Sequence, residues 1–231
     1  MIIILVFCLI PLPAGFLHGL DDPYSFEIER VKKDPTFHKK VDGFTLNLSA
    51  EQMTYLLDNL PVTTVLLNKY GIHTLRIRAT GPDAFHAEDE SGLEGIFELV
   101  GGGEYDAGTH TAHDRTVREY AGHGWIASGV ITSISADVIA RISFEESEPG
   151  NTVNELEFWV VVDGLLLDIL CRIFRPVLLS ILTNKFDDFI EVVQNFTNRI
   201  QGDPGRAAEI LRKNSLGEHE IEEFRRLFVI R

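Results

Sequence analysis

Residues Gly164–Ile200 read GLLLDILCRIFRPVLLSILTNKFDDFIEVVQNFTNRI, and their spacing decides the fold. From Leu178 the apolar positions are Leu178, Leu182, Phe186, Phe189, Val193, Phe196 and Ile200. Steps of four and three place them on one helical stripe. Lys185, Asp187, Asp188, Glu191, Gln194 and Asn198 take the opposite side. Pro176 predicts a kink or two consecutive helices, because proline lacks the amide proton that the helix interior requires. Ahead of it, Asp168, Arg172 and Arg175 run as a polar stripe through an apolar segment, which argues against a lipid-crossing helix. Asp168 and Arg172 stand one turn apart and form an i,i+4 pair. Turned inward, the same two would fix the polar head of a ligand.

Upstream, period-two patterning takes over. Phe44, Leu46 and Leu48 alternate with polar residues as in a half-buried strand. Ser49 and Gln52 have capping-box spacing, so a short helix is expected from Ala50 through Met53, Leu56 and Leu57. Pro61 suits the first turn of a second helix, and Gly71 its left-handed stop. Strand alternation follows at Leu75–Ala79 and Phe85–Ala87, across a Gly81-Pro82-Asp83 turn. It continues in Leu93, Gly95, Phe97 and Leu99. A glycine-rich loop, Gly101–Gly124, is expected next, then strands over Trp125–Ile134, Val138–Phe144 and Asn154–Asp163, with a turn at Glu148–Asn151. Hairpin-length links favour an antiparallel sheet, and the long helix is the element large enough to cover it.

This order resembles the START-like, or SRPBCC, helix-grip superfamily. The resemblance is carried by the strand Phe44–Leu48, the helix pair Ala50–Tyr70, the meander His73–Asp163 and the helix Gly164–Ile200. It is closest in the segment Phe158–Phe196, FWVVVDGLLLDILCRIFRPVLLSILTNKFDDFIEVVQNF. It implies an α+β fold: a curved antiparallel sheet wrapped around a long C-terminal helix, with two short helices after the first strand. Members are similar in enclosing an apolar cavity for lipids, hormones, polyketides or other hydrophobic ligands; some are enzymes and many only bind. The implied cavity lining is Phe97, Phe144 and Phe158 from the sheet, with Phe174 and Phe186 from the helix. Asp168 and Arg172, if turned into that cavity, are the candidate polar ligand contacts. The START-like domain spans 37–200, preceded by a linker over 20–36 and followed by a helical C-terminal extension over 201–231. An export-like N-terminus, a histidine-bearing loop and that tail depart from the family pattern.

The N-terminal stretch, MIIILVFCLIPLPAGFLHG over 1–19, reads as a signal peptide or a short membrane anchor. Its apolar run Ile2–Ile10 is short for the ~30 Å hydrocarbon layer of a bilayer. It lacks a preceding Lys or Arg, and a buried strand is the alternative. The preferred location is therefore exported, periplasmic or extracellular, with membrane association through this segment as a variant. A net charge of −14 excludes a nucleic-acid backbone as partner and disfavours anionic lipid. Two cysteines, Cys8 and Cys171, make no disulfide framework, and Cys171 reads as a small buried residue.

No catalytic signature is present: no G-x-S-x-G and no phosphate-binding G-x-x-x-x-G-K-[ST]. In the 101–124 loop, His110 and His113 with Asp106, Asp114 and His123 have metal-compatible chemistry but no third ligand at a set spacing. The loop is read as polar, with no metal and no cofactor. Glu94, Glu98, Glu145, Glu146, Glu155 and Glu157 lie on the polar phase of the strands, where a solvated sheet face explains them. A buried pair among them would permit acid–base work. Asn47-Leu48-Ser49 and Asn195-Phe196-Thr197 match the glycosylation sequon. The tail suggests two short helices around Ala207–Leu211 and Glu220–Phe228. They form either a docked hairpin or a partner-binding appendix, the latter hinted at by the Leu-Phe-Val-Ile ending. The expected function is a non-enzymatic, exported binding protein for an apolar or lipid-like molecule. The alternatives are an enzyme (cyclase, dehydratase or hydrolase type) using the same cavity, and a membrane-tethered interaction domain.

Overall fold

The computed structural model describes residues 28–72, 74–89, 92–105, 115–126, 134–214 and 217–229. The readings placed on 1–19 with Cys8, and on Asp106, His110, His113 and Asp114, lie outside the described residues, as do the side chains of Leu178, Leu182 and Lys185. The described elements are helix α1 (Ile28–Lys33), strand β1 (Phe37–Leu46), helices α2 (Ala50–Asp58) and α3 (Leu60–Lys69), and strands β2 (Leu75–Ala79), β3 (Ala84–Asp89), β4 (Leu93–Tyr105), β5 (Arg115–Ile126), β6 (Ile134–Glu148) and β7 (Asn151–Val162). Helices α4 (Leu165–Ile173), α5 (Arg175–Gly202), α6 (Pro204–Lys213) and α7 (Glu218–Phe228) complete them.

The strands form one seven-stranded antiparallel sheet in the order β1-β7-β6-β5-β4-β3-β2. It is curved and does not close into a barrel. From β2 to β7 the chain is a plain meander, and only β1 reaches across to pair with the last strand. Alternation assigns the faces: on β7, Leu156, Phe158, Val160 and Val162 are buried, as are Val138, Ala140, Ile142 and Phe144 on β6. Small residues face large ones across the ladder, as in Phe97 opposite Gly122 and Phe158 opposite Ala140. That keeps the concave face open enough to receive helices.

β1 changes phase midway. Val41 pairs Leu156 and Phe44 pairs Asn154, so Asp42 and Gly43 form a bulge, with Gly43 at φ +74°. The extra residue transfers the inward phase from Phe37 and Val41 to Phe44 and Leu46. Ser49 caps α2: its Oγ accepts from the Gln52 amide at 3.2 Å, while Gln52 Oε1 accepts from the Ser49 amide at 3.1 Å.

Two expectations need correction. The loop expected over Gly101–Gly124 is mostly ladder, since β4 runs on to Tyr105 and β5 already begins at Arg115. Glycine weakens a strand without forbidding it, and the long ladder between β4 and β5 outweighs that preference here. Of the strand expected over Trp125–Ile134, Trp125 and Ile126 close β5 and Ile134 opens β6, while 127–133 lie outside the described residues. Within the expected linker, residues 28–33 form α1, which lies on the convex face of the sheet. Its Val31 packs with Ala121, Ile139 and Trp159. Lys32 reaches Glu119 at 2.7 Å and Arg30 reaches Asp137 at 2.6 Å.

The long C-terminal segment is two helices, broken at Phe174 just before the proline. Phe186, Phe189, Val193, Phe196 and Ile200 of α5 are all buried. The tail docks as a helical hairpin on the far side of α2 and α3. There Gln52 Nε2 donates to the Leu227 carbonyl at 2.8 Å and the Tyr55 hydroxyl to the Glu220 carbonyl at 2.7 Å. Of the hydrophobic ending, Leu227 and Phe228 are buried against the domain and Val229 is exposed, while Ile230 lies outside the described residues.

Candidate ligand cavity

A hollow lies between the concave face of the sheet, the α2–α3 pair and the second half of α5. β1 contributes Phe44 and Leu46; α2 contributes Met53, Leu56 and Leu57; and α5 contributes Phe189, Val193 and Phe196. Phe97, Tyr120 and Ile142 form its floor. The cavity has a volume of about 40 Å³. That is room for a few waters or a very small apolar molecule, not for an acyl chain.

Its polar atoms are already committed. The Tyr120 hydroxyl donates to the Leu57 carbonyl at 3.0 Å, tying the floor to α2. Thr63 Oγ1 donates to the Leu56 carbonyl at 2.6 Å, and Thr197 Oγ1 to the Gln194 carbonyl at 3.1 Å. Burial pushes the Tyr120 phenol well above its ordinary range, with the Asp58 charge adding to the effect. It stays a neutral donor at any physiological pH. No carboxylate, histidine or cysteine is among the described lining residues. The cavity therefore excludes charge and leaves its hydroxyls no spare proton to give.

The sequence-derived candidates separate. Phe97 lines the cavity, between a stacked Phe85 at 5.3 Å and an edge-on Tyr120 at 6.3 Å. Phe158 stacks on Phe186 at 4.9 Å and joins sheet to α5 beside the hollow, while Phe144 is fully buried in the same core. None of these three is among the lining residues. Phe174 is corrected: at 57% exposure it faces outward, because the break between α4 and α5 turns it away from the sheet. Asp168 and Arg172 do not reach the cavity. Arg172 Nε donates to Asp168 at 2.8 Å and its Nη1 to Asp34 at 2.9 Å, and the Thr36 hydroxyl donates to Asp168. Burial alone would raise the Asp168 pKa, but the bonds from Thr36 and Arg172 outweigh it and hold the carboxyl below its usual value. This cluster clasps the start of β1 to α4. Phe189, Val193 and Phe196, which the sequence places on a helical stripe, and Leu56 and Leu57 of the short helix also line the cavity. Their spacing shows burial, but a cavity depends on which buried residues fail to touch.

The polar strand face carries ion pairs. Glu155 lies 3.0 Å from Lys40 and 2.9 Å from Arg115, Glu157 is 2.8 Å from His38, and Glu119 is 2.8 Å from Arg141. His123 sits on β5 with Nδ1 2.8 Å from Asp137, not in a loop. No cluster of metal-ligating side chains occurs among the described residues. Cys171 is buried, and that burial raises its thiol pKa, which makes it a poor nucleophile.

A curved antiparallel sheet gripping a C-terminal helix, with a helix pair after the first strand, is a helix-grip-like α+β arrangement. Solved structures similar to this chain include a conserved protein of Geobacillus kaustophilus, at 13% identity over 71% of this chain and 97% of that one, with a TM-score of 0.43. Others are a START superfamily protein of Mycobacterium smegmatis (13% identity, 67% and 96% covered, TM-score 0.35) and the hypothetical protein jhp0584 of Helicobacter pylori (10% identity, 78% and 99% covered, TM-score 0.43). At such identities the likeness concerns the arrangement of elements and says nothing about chemistry. No protein-family model matches the chain, and no curated protein does.

Proposed function

We propose that this protein is a non-enzymatic, exported binding domain for a hydrophobic small molecule held between the sheet, α2 and α5. The START-like arrangement is that of a ligand-binding domain. The observation that carries the reading is the cavity wall: hydrocarbon throughout, with each of its three hydroxyls spent on a backbone carbonyl. Such a wall favours apolar matter and offers a transition state no acid, base or nucleophile. The enzyme alternative requires a convergent buried polar pair, which this lining does not supply. A ligand larger than a few atoms enters only if α2 or α5 moves outward. Export rests on the Ile2–Ile10 run followed by Pro11, Pro13, Ala14 and Gly15.

The test is a cavity-filling substitution, Val193→Phe, assayed with a fluorescent fatty acid and with benzene as a minimal apolar probe. Binding of either probe by the native chain, reduced at least tenfold in the variant with the melting temperature kept, supports the reading. A native chain that binds neither probe, and carries no co-purified small molecule in native mass spectrometry, sinks it.

A further inference from the structure

Helix α4 is apolar on two sides, whereas a surface helix needs only one. Its inner side, with Cys171 buried and Leu167 half-buried, packs toward β7. Its outer side carries Leu165, 79% exposed, Ile169, Leu170 and Ile173, 64% exposed, and the stripe continues into Phe174. Steps of four from Leu165 through Ile169 to Ile173 align these on one face. Asp168 and Arg172 flank that face and are closed into ion pairs with each other and with Asp34. Among the described residues nothing polar interrupts it.

We propose that this face of α4 docks on a zwitterionic lipid surface. The chain upstream points to that occupant. Asp34, which Arg172 holds, ends the segment leading back through α1 to the most apolar run of the sequence, Ile2–Ile10. In the anchor reading of that run, residues 11–27 reach at most ~60 Å when fully extended, so the run and α4 can engage one surface. The charge of −14 selects against an anionic leaflet. A second copy fits poorly: a helix of nine residues is about 14 Å long, too short for the roughly 800 Å² per partner of a stable dimer. In-plane helices of this kind bury the apolar side at the headgroup boundary.

The test uses the full chain with phosphatidylcholine vesicles. Flotation of the native protein is expected, and the double substitution Ile169→Glu/Ile173→Glu should lower the lipid partition coefficient at least tenfold while far-UV circular dichroism and melting stay unchanged. A Phe174→Trp variant should shift to the blue on vesicles and be quenched by acyl-brominated lipid. The proposal is overturned if the native chain does not float, if the double variant floats as well as the native chain (the Ile2–Ile10 run then acting alone), or if the substitutions instead dissociate a dimer in sedimentation. Because Val193→Phe leaves α4 untouched, failure of the cavity reading would leave this result standing.

Discussion

At the scale of single residues, the side chains that look functional and those that are placed to be so differ. Asp168 and Arg172 have the ligand-clamping chemistry, yet their geometry makes them a clasp between α4 and the start of β1. Asp168 has a folded-state pKa below its unfolded value. Its stabilising contribution is therefore fully present above the unfolded value, near pH 4, and fades as pH falls through the folded-state value. The Asp168→Asn variant should accordingly melt below the native protein at pH 7, with the gap narrowing toward pH 2.5. A gap independent of pH in thermal melts would show that ionisation plays no part in the clasp. Phe97, by contrast, was legible from alternation alone, because a phenylalanine on the inward phase of a central strand is buried whichever helix covers it.

At the scale of elements, local rules wrote most boundaries. The Ser49–Gln52 box starts α2, and Gly71 at φ +65° ends the helix pair. Glycine at position 150, at φ +83°, turns β6 into β7. The β1 bulge was not legible, since nothing in Val41-Asp42-Gly43-Phe44 distinguishes a phase shift from an ordinary strand. Only the register against β7 reveals it. Gly43 has open space around its Cβ position, so a substitution there meets backbone strain alone. Gly43→Ala should cost about 1–2 kcal/mol in urea unfolding, the usual left-handed penalty for an L side chain. A smaller cost for Gly43→Asn would confirm that conformation, not packing, is responsible. The long strands β4 and β5 escaped notice for the opposite reason: their glycines argue locally for a loop, and cross-strand bonding overrides them.

At the scale of the whole molecule, the tail closes the architecture. Phe224 and Phe228 stack at 4.5 Å and face Tyr55 of α2, whose other flank lines the cavity. The hairpin α6–α7 thus braces the wall that ligand entry must displace. Phe224→Ala should cost about 3–5 kcal/mol. At roughly 2–4 °C per kcal/mol for a chain of this size, that lowers the melting temperature by about 10 °C. Amide exchange in α2 should accelerate with it, and unchanged α2 protection would refute the bracing role.

By itself the sequence determined the helix pair after β1, the long C-terminal helices and the buried phase of β6 and β7, because periodicity and capping act over a few neighbouring residues. The tertiary structure alone decided which buried residues surround a void, that Asp168 and Arg172 point away from it, and that α4 keeps an unpaired apolar side. Each of those depends on distances between segments far apart in the chain, and no local pattern encodes them.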